Sequence, residues 1–147
     1  MKAVEVKDLN AFHDFVKNEV IPLVTPGTLF LLSGELGAGK TDLIKTVAEH
    51  FKMDDVQSPT FAFHNAYRNN SLVIHHVDLY RLNSEEDLES TGFWDLFENE
   101  NDVMFVEWSN LIHDDAWPWG WKRVDIEIKK IDDQRREITM EANVGIS

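Results

Sequence analysis

Cysteine is absent from this chain, which rules out disulfides and thiolate metal ligands and fits a reducing cytoplasm. No apolar run reaches the roughly eighteen residues that a membrane helix needs. The first residues, MKAVEVKDLNAF, carry acids early and lack the apolar centre of a secretory signal. Basic residues are few: 14 Lys and Arg stand against 27 Asp and Glu, for a formal net charge of −13. Nucleic-acid backbones are gripped by Lys and Arg that displace counterions, so a chain this acidic is repelled by them. Any service to a nucleic acid would leave the grip to another protein, and solubility alone accounts for the charge equally well. Repeats, low-complexity tracts and interdomain linkers are missing too, so residues 1–147 read as a single domain long enough for a real core.

What is present alternates helix and strand patterns. Phe12, Phe15, Val16, Val20 and Leu23 recur at spacings of three and four, which predicts an amphipathic helix over 10–24 with Pro22 cutting its end. A turn at Thr25-Pro26-Gly27 leads into the apolar run 29–32, the pattern of a buried parallel strand. A helix is expected over 40–51, with Leu43, Ile44, Val47, Ala48 and Phe51 inward. Residues 61–67 and 72–77 predict a hairpin, and Ser84-Glu85-Glu86-Asp87 has the spacing of a capping box opening a helix that Gly92 ends. A buried strand at 103–106 and an antiparallel pair at 123–130 and 136–142 complete an α/β pattern. The expected architecture is a mixed β-sheet flanked by helices.

Within it, Gly34-Glu35-Leu36-Gly37-Ala38-Gly39-Lys40-Thr41 fits G-x-x-x-x-G-K-[ST] at every fixed position, after a strand and before a helix. Glycines let the backbone approach a phosphate chain, successive N–H groups form an anion nest, and the helix adds its positive end. Lys40 can bridge the outer phosphates, and the Thr41 hydroxyl is a hard oxygen suited to Mg²⁺. The alternative, a chance match in a glycine-rich turn, fits the strand–loop–helix context poorly. No N-K-x-D occurs to read guanine, which favours ATP over GTP.

Two acids stand where apolar strands stop, Asp78 after 72–77 and Glu107 after 103–106, the place where open α/β sheets gather their ligands. Either alone could be a solvated acid; beside a phosphate loop, the pair is expected to hold Mg²⁺ or order the attacking water. His75 and His76 would face opposite ways on a strand and cannot share a metal; one is expected to hydrogen-bond near the site and the other to lie at the surface, with a structural or supporting role favoured over metal binding. Thr60, in Ser58-Pro59-Thr60-Phe61, offers a hydroxyl to phosphate or water, though a plain loop into a strand accounts for it as well. Trp117-Pro118-Trp119-Gly120-Trp121 suits a contact surface, a lid or the core.

Taken in order, the phosphate loop, Ser58-Pro59-Thr60-Phe61, His76-Val77-Asp78-Leu79-Tyr80-Arg81-Leu82 and Glu107-Trp108 resemble the TsaE family of bacterial threonylcarbamoyladenosine synthesis on tRNA. Glu89 with Gly92 is a weaker match, and the resemblance spans about positions 5–142. It implies a P-loop ATPase, slow alone, that acts on a complex of the partner proteins TsaB and TsaD, which would themselves handle the tRNA. It implies Thr41 and Glu107 as Mg²⁺ ligands, Lys40 with the loop residues Glu35, Leu36, Gly37, Ala38 and Gly39 as the phosphate cradle, and Asp78 as an essential acid ordering water. Thr60 resembles a switch residue, Trp108 would shape the site, and Arg135, in the turn between the last two strands, suits a position near the nucleotide. Asp42 departs from the family, which has a second Thr there; an acid is favoured in a first helical turn, and its side chain is expected to point away from the phosphates. The tryptophan-rich segment matches no family motif. A small-molecule kinase on the same loop is the alternative, weakened by having only five arginines to supply a lid. A nucleotide-binding assembly module that barely hydrolyses blends into the first reading.

Overall fold

The computed structural model describes residues 2–35, 37–56, 64–79, 88–107 and 112–143. Leu36, Ser58-Pro59-Thr60-Phe61, Tyr80 to Leu82 and Trp108 lie outside them, as does the predicted capping box Ser84-Glu85-Glu86-Asp87.

Among the described residues eight strands form one sheet: β1 (Lys2–Val6), β2 (Thr28–Gly34), β3 (Asp54–Val56), β4 (His64–Arg68), β5 (Val73–Asp78), β6 (Val103–Glu107), β7 (Lys122–Lys130) and β8 (Arg136–Asn143). Their spatial order is β1-β8-β7-β2-β6-β5-β4-β3. The central four, β7, β2, β6 and β5, run parallel, and antiparallel pairs extend the sheet at both edges. A strand with parallel neighbours on both sides has two covered faces, which is why β2 is a continuous buried run through Leu32 and β6 is buried throughout. This is a P-loop NTPase-like α/β fold.

The first helix, α1 (Leu9–Phe15), is capped by Asp8, whose Oδ1 accepts the Ala11 N–H at 2.8 Å. The expected helix does not stay α-helical to its end. It widens into a π turn at Val16–Val20, where Ile21 N–H reaches back five residues to the Val16 carbonyl, and tightens to a 3-10 turn at Ile21–Leu23. Pro22 supplies the reason: it has no N–H and its ring crowds the preceding turn, so the α ladder is rebuilt around it. Phe12, Val16 and Val20 are nevertheless fully buried. The second helix, α2 (Lys40–His50), buries Leu43, Ile44, Val47 and Ala48, and Phe51 serves as its half-buried C-cap.

These helices cover one face of the sheet, with Phe30 of β2 and Phe105 of β6 stacked at 4.4 Å beneath them. The other face carries Leu29, Leu31, Val77, Met104 and Val106 under Leu88, the 3-10 turn Phe93–Glu98 and Trp121. Gly92, at φ 83, caps that turn. The tryptophan segment divides: Trp121 is buried, Trp117 packs against the same cluster, and Trp119 is 77% exposed. No helix among the described residues is long and apolar enough to cross a membrane.

Candidate functional site

The C-terminal ends of β2, β5 and β6 converge on the loop that opens α2. Gly34 ends β2 at φ 145, pressed so closely against β7 that a Cβ there would lie 2.4 Å from the Ile128 carbonyl oxygen. Gly37 and Gly39 also adopt positive φ, 83 and 119, and Gly39 is the N-cap of α2, its carbonyl accepting the Leu43 N–H at 2.9 Å. Ala38 is buried and its N–H returns to the Glu35 carbonyl at 3.1 Å. Glu35 is exposed, and its carboxylate accepts the Lys130 N–H at 3.2 Å, tying the start of the loop to the end of β7.

Lys40 is buried although it is a lysine. Its ammonium donates to the Gly34 carbonyl at 2.5 Å and to the Glu35 carbonyl at 3.3 Å. Burial holds its pKa below the usual lysine value, and the carboxylates of Glu107, Asp78 and Glu35 oppose that shift. The cation therefore lies within the field of the two strand-end acids. Thr41 follows in the first turn of α2, with its side chain exposed.

Parallel register sets the acids side by side: Asp78 is the partner of Glu107 across β5 and β6, and Glu107 is the partner of Leu32 on β2. The Leu79 N–H donates to the Glu107 carbonyl at 3.2 Å, locking the two strand ends. Glu107 is buried, and its carboxylate is hydrogen-bonded by His76 Nε2. His76 thus shares the face of the acids, while His75 points to the other face. His75 is not at the surface as expected from sequence: it bonds Asp102 Oδ2 at 2.7 Å and His64 Nε2 at 2.8 Å. His64 comes from β4 and Asp102 from the turn before β6, partners that no local pattern announces.

Two residues came to the loop unannounced. Arg136, the first residue of β8, donates from Nε to the Ala38 carbonyl at 2.8 Å, with its guanidinium 5.5 Å over the Phe12 ring. Arg135, beside it, turns instead to Asp132, which accepts its backbone N–H at 2.7 Å and its Nε at 2.8 Å. These bonds, led by the backbone one, hold the Asp132 carboxyl down at about 2. The signal for Arg136 was the hairpin itself: antiparallel register places the first residue of β8 opposite Lys130, at the loop end of β7. The other addition is His13 of α1, whose Nε2 bonds Asp42 Oδ2 at 3.0 Å and draws that carboxylate toward α1.

The donor set suits a phosphate chain with a hard cation. Three positive-φ glycines open the backbone, one buried ammonium stands inside the loop, and a hydroxyl and a carboxylate offer oxygen ligands. Among the described residues no three His, Asp or Glu side chains converge on a metal position. Mg²⁺ does not require that, since it is held by one or two protein oxygens together with phosphates and water.

The family profile described as Threonylcarbamoyl adenosine biosynthesis protein TsaE matches residues 6–138. The tRNA threonylcarbamoyladenosine biosynthesis protein TsaE of Bacillus subtilis is 37% identical over 118 residues, covering 80% of this chain and 71% of that protein. Its counterpart in Rickettsia felis is 31% identical over 113 residues, covering 76% of this chain and 63% of that protein. The crystal structure of YdiB from Bacillus subtilis superposes with a TM-score of 0.67 at 29% identity, covering 98% of this chain and 87% of that one. With the glycine loop, the buried lysine and the paired acids in place, the chain belongs to the TsaE family of tRNA threonylcarbamoyladenosine biosynthesis proteins.

Proposed function

We propose that this protein is a Mg²⁺-dependent ATPase that acts on a complex of TsaB and TsaD in the formation of threonylcarbamoyladenosine at position 37 of tRNA. The observation that carries the ATPase reading is Lys40, a buried ammonium in a positive-φ glycine loop, flanked by the register partners Asp78 and Glu107. Lys40 is held by two loop carbonyls, a position from which it can turn to the β- and γ-phosphates without leaving the loop. The loop N–H groups and the first turn of α2 supply the remaining positive field.

Bound Mg²⁺ would neutralise charge on the outer phosphates. Thr41 and Glu107 are its proposed protein ligands, with Glu107 oriented by His76. Asp78, less buried than Glu107, is the acid placed to order and polarise a water at the terminal phosphate. Thr60 is proposed as the switch hydroxyl that senses that phosphate. Leu36 and Arg135 keep their proposed place around the nucleotide, Arg135 through a rearrangement that releases Asp132. The partner reading rests on the family and on charge. At −13 the chain is a poor ligand for tRNA, so TsaB and TsaD would hold the polymer in the cytoplasm while this chain supplies the nucleotide cycle.

The test is ATP hydrolysis by the purified protein, alone and with purified TsaB and TsaD, beside a Lys40→Ala variant. Slow turnover alone, acceleration by the partners, and about a hundredfold weaker ATP binding in the variant are expected. Unchanged hydrolysis in Lys40→Ala would sink the loop assignment. Absence of any interaction with TsaB and TsaD, with or without ATP, would remove the partner reading and leave an ATPase.

A further inference from the structure

We propose that the aromatic turn at 117–121 is a docking site for a cationic segment of a partner protein. The Trp119 ring is its anchor, and the carboxylates of Glu98, Glu100, Asp114 and Asp115 form its rim. The site is separate from the phosphate loop and does not depend on what that loop binds.

Trp119 is the most exposed large apolar side chain among the described residues, at 77%. The turn that carries it is held on both sides. Trp117 lies 6.0 Å from Trp94, 6.2 Å from Phe97 and 6.3 Å from Phe93, between ring centroids. Trp121 is buried, with its ring 5.2 Å from Phe97. Gly120 takes φ 91, a left-handed conformation that turns the chain between the exposed ring and the buried one. Beyond it the Lys122 N–H donates to the Gly27 carbonyl at 2.9 Å and starts β7. Pro118 and Trp117, both half-buried, adjoin the exposed ring. A tryptophan presented on a fixed turn has little freedom left to lose and offers a large flat face, the properties of an interface anchor.

Charge decides what the anchor meets. No Lys or Arg occurs between Arg81 and Lys122, while acids recur throughout that stretch. Glu98 ends the 3-10 turn that supplies Phe97, and Asp114 and Asp115 open the one that leads into Trp117. Glu100 Oε1 lies 3.8 Å from where a Cβ on Gly120 would stand. All four acids are exposed. The first cations beyond the turn are already engaged: Lys122 donates to Thr25 Oγ1 at 2.6 Å, and Arg123 to Asp125 at 2.8 Å and Asp114 at 2.9 Å. The face of an indole attracts Lys and Arg, and surrounding carboxylates draw the same groups from a distance. That field repels nucleic acids, anionic membranes and a second copy of a chain at −13. Parallel register pairs Lys122 with Thr28 and Ile128 with Gly34, so the turn stands at the far end of β7 from the phosphate loop. The length of strand between them is about 20 Å, and a partner seated on Trp119 leaves the loop open.

The probe is a peptide of about ten alternating Arg and Ser residues, titrated into the ¹⁵N-labelled full chain at about 0.15 M salt, with a Glu-Ser peptide as control. The Trp119 indole N–H resonance is expected to shift with the Arg-Ser peptide while that of Trp121 stays. Trp119→Ala should raise the Kd about fivefold or more, and Trp119→Phe should recover part of it. Glu100→Gln should weaken binding about twofold, whereas Glu127→Gln, the same charge change on an exposed residue of β7 away from the turn, should not. No binding of the Arg-Ser peptide, an equal response to the Glu-Ser peptide, or an unchanged Kd in Trp119→Ala overturns the site. Equal losses for Glu100→Gln and Glu127→Gln would also overturn it, as unspecific attraction to an acidic chain. A Trp119 that enters phosphatidylcholine vesicles and ignores the peptide would be a membrane contact instead. ATP affinity should be the same in Trp119→Ala as in the wild type, and a matching loss there would refute the separation from the phosphate loop.

Discussion

Asp78 and Glu107 are register partners at the ends of two parallel strands, yet only Glu107 is buried and bonded to a histidine. Alternation along β5 and β6 puts both, with His76, on the face that packs against α2. Identical chemistry in unlike surroundings points to a division of labour: the oriented, buried carboxylate suits a cation, and the wetter one suits water.

Glu107→Gln tests the first role. The amide preserves size and can still bond His76, but it loses the charge a divalent cation needs. ATP affinity in the presence of Mg²⁺ is expected to fall about tenfold or more, with affinity in EDTA unchanged. Binding isotherms in the two buffers check it, and an equal loss in both contradicts the metal role.

Asp78→Asn should show the opposite split. Hydrolysis is expected to slow about a hundredfold, the scale of a lost general base, while ATP affinity stays within about threefold. Single-turnover hydrolysis beside equilibrium binding separates the two quantities. A variant that binds poorly but turns over bound ATP normally would remove Asp78 from the chemistry.

Much of this site could be read before the fold was known, because its parts are local. The phosphate loop is one continuous stretch, and Asp78 and Glu107 each end an apolar run. What escaped depends on pairing across the chain. β1 is an edge strand, Lys-Ala-Val-Glu-Val, whose alternation is too brief to declare itself, and β3 is three residues, two of them acids, paired among the described residues with β4 alone. Arg136 and Arg135 are neighbours of the same type. Which one reaches the loop is decided by the captive turn at Asp132 and by strand parity, neither visible in composition. The histidine partners of Glu107 and Asp42 come from 31 and 29 residues away.

His76 is expected to act on the metal through Glu107 rather than by touching it. His76→Ala should shift the Mg²⁺ midpoint for ATP binding about tenfold upward, and His76→Gln, which can still donate, should recover most of it. A loss of thermal stability with an unmoved midpoint would make the histidine merely structural.

Gly34→Ala should be one of the costlier single substitutions in the chain. The added Cβ meets a backbone oxygen at 2.4 Å, and φ 145 is strained for any side chain. Neither can relax without separating β2 from β7, so denaturant unfolding is expected to show a loss of about 3 kcal/mol. A stability within experimental error of the wild type would mean the strand junction is softer than its packing indicates.

The last expectation concerns pH and the second face of the sheet. Asp102 accepts from His75 Nε2, so a neutral His75 has only Nδ1 left as an acceptor, and His64 Nε2 must donate to it. Protonating His75 would set two donors against each other. His64 is 3% exposed, and burial, with His75 and His76 nearby, pushes its pKa down to about 4. A histidine lowered in the folded state is neutral there while the unfolded chain takes up its proton. Its contribution is therefore complete above the unfolded value of about 6.5 and is lost as pH falls toward 4. The full loss is at most roughly 3 kcal/mol, from the size of that shift. Chemical unfolding of the wild type between pH 7 and 4 includes carboxylate titrations too, so the informative quantity is its difference from His64→Asn. The two stability curves should converge as the pH drops through this window. A constant gap would show that His64 is protonated in the fold as easily as in the unfolded chain, and that the His64–His75–Asp102 chain tolerates the charge.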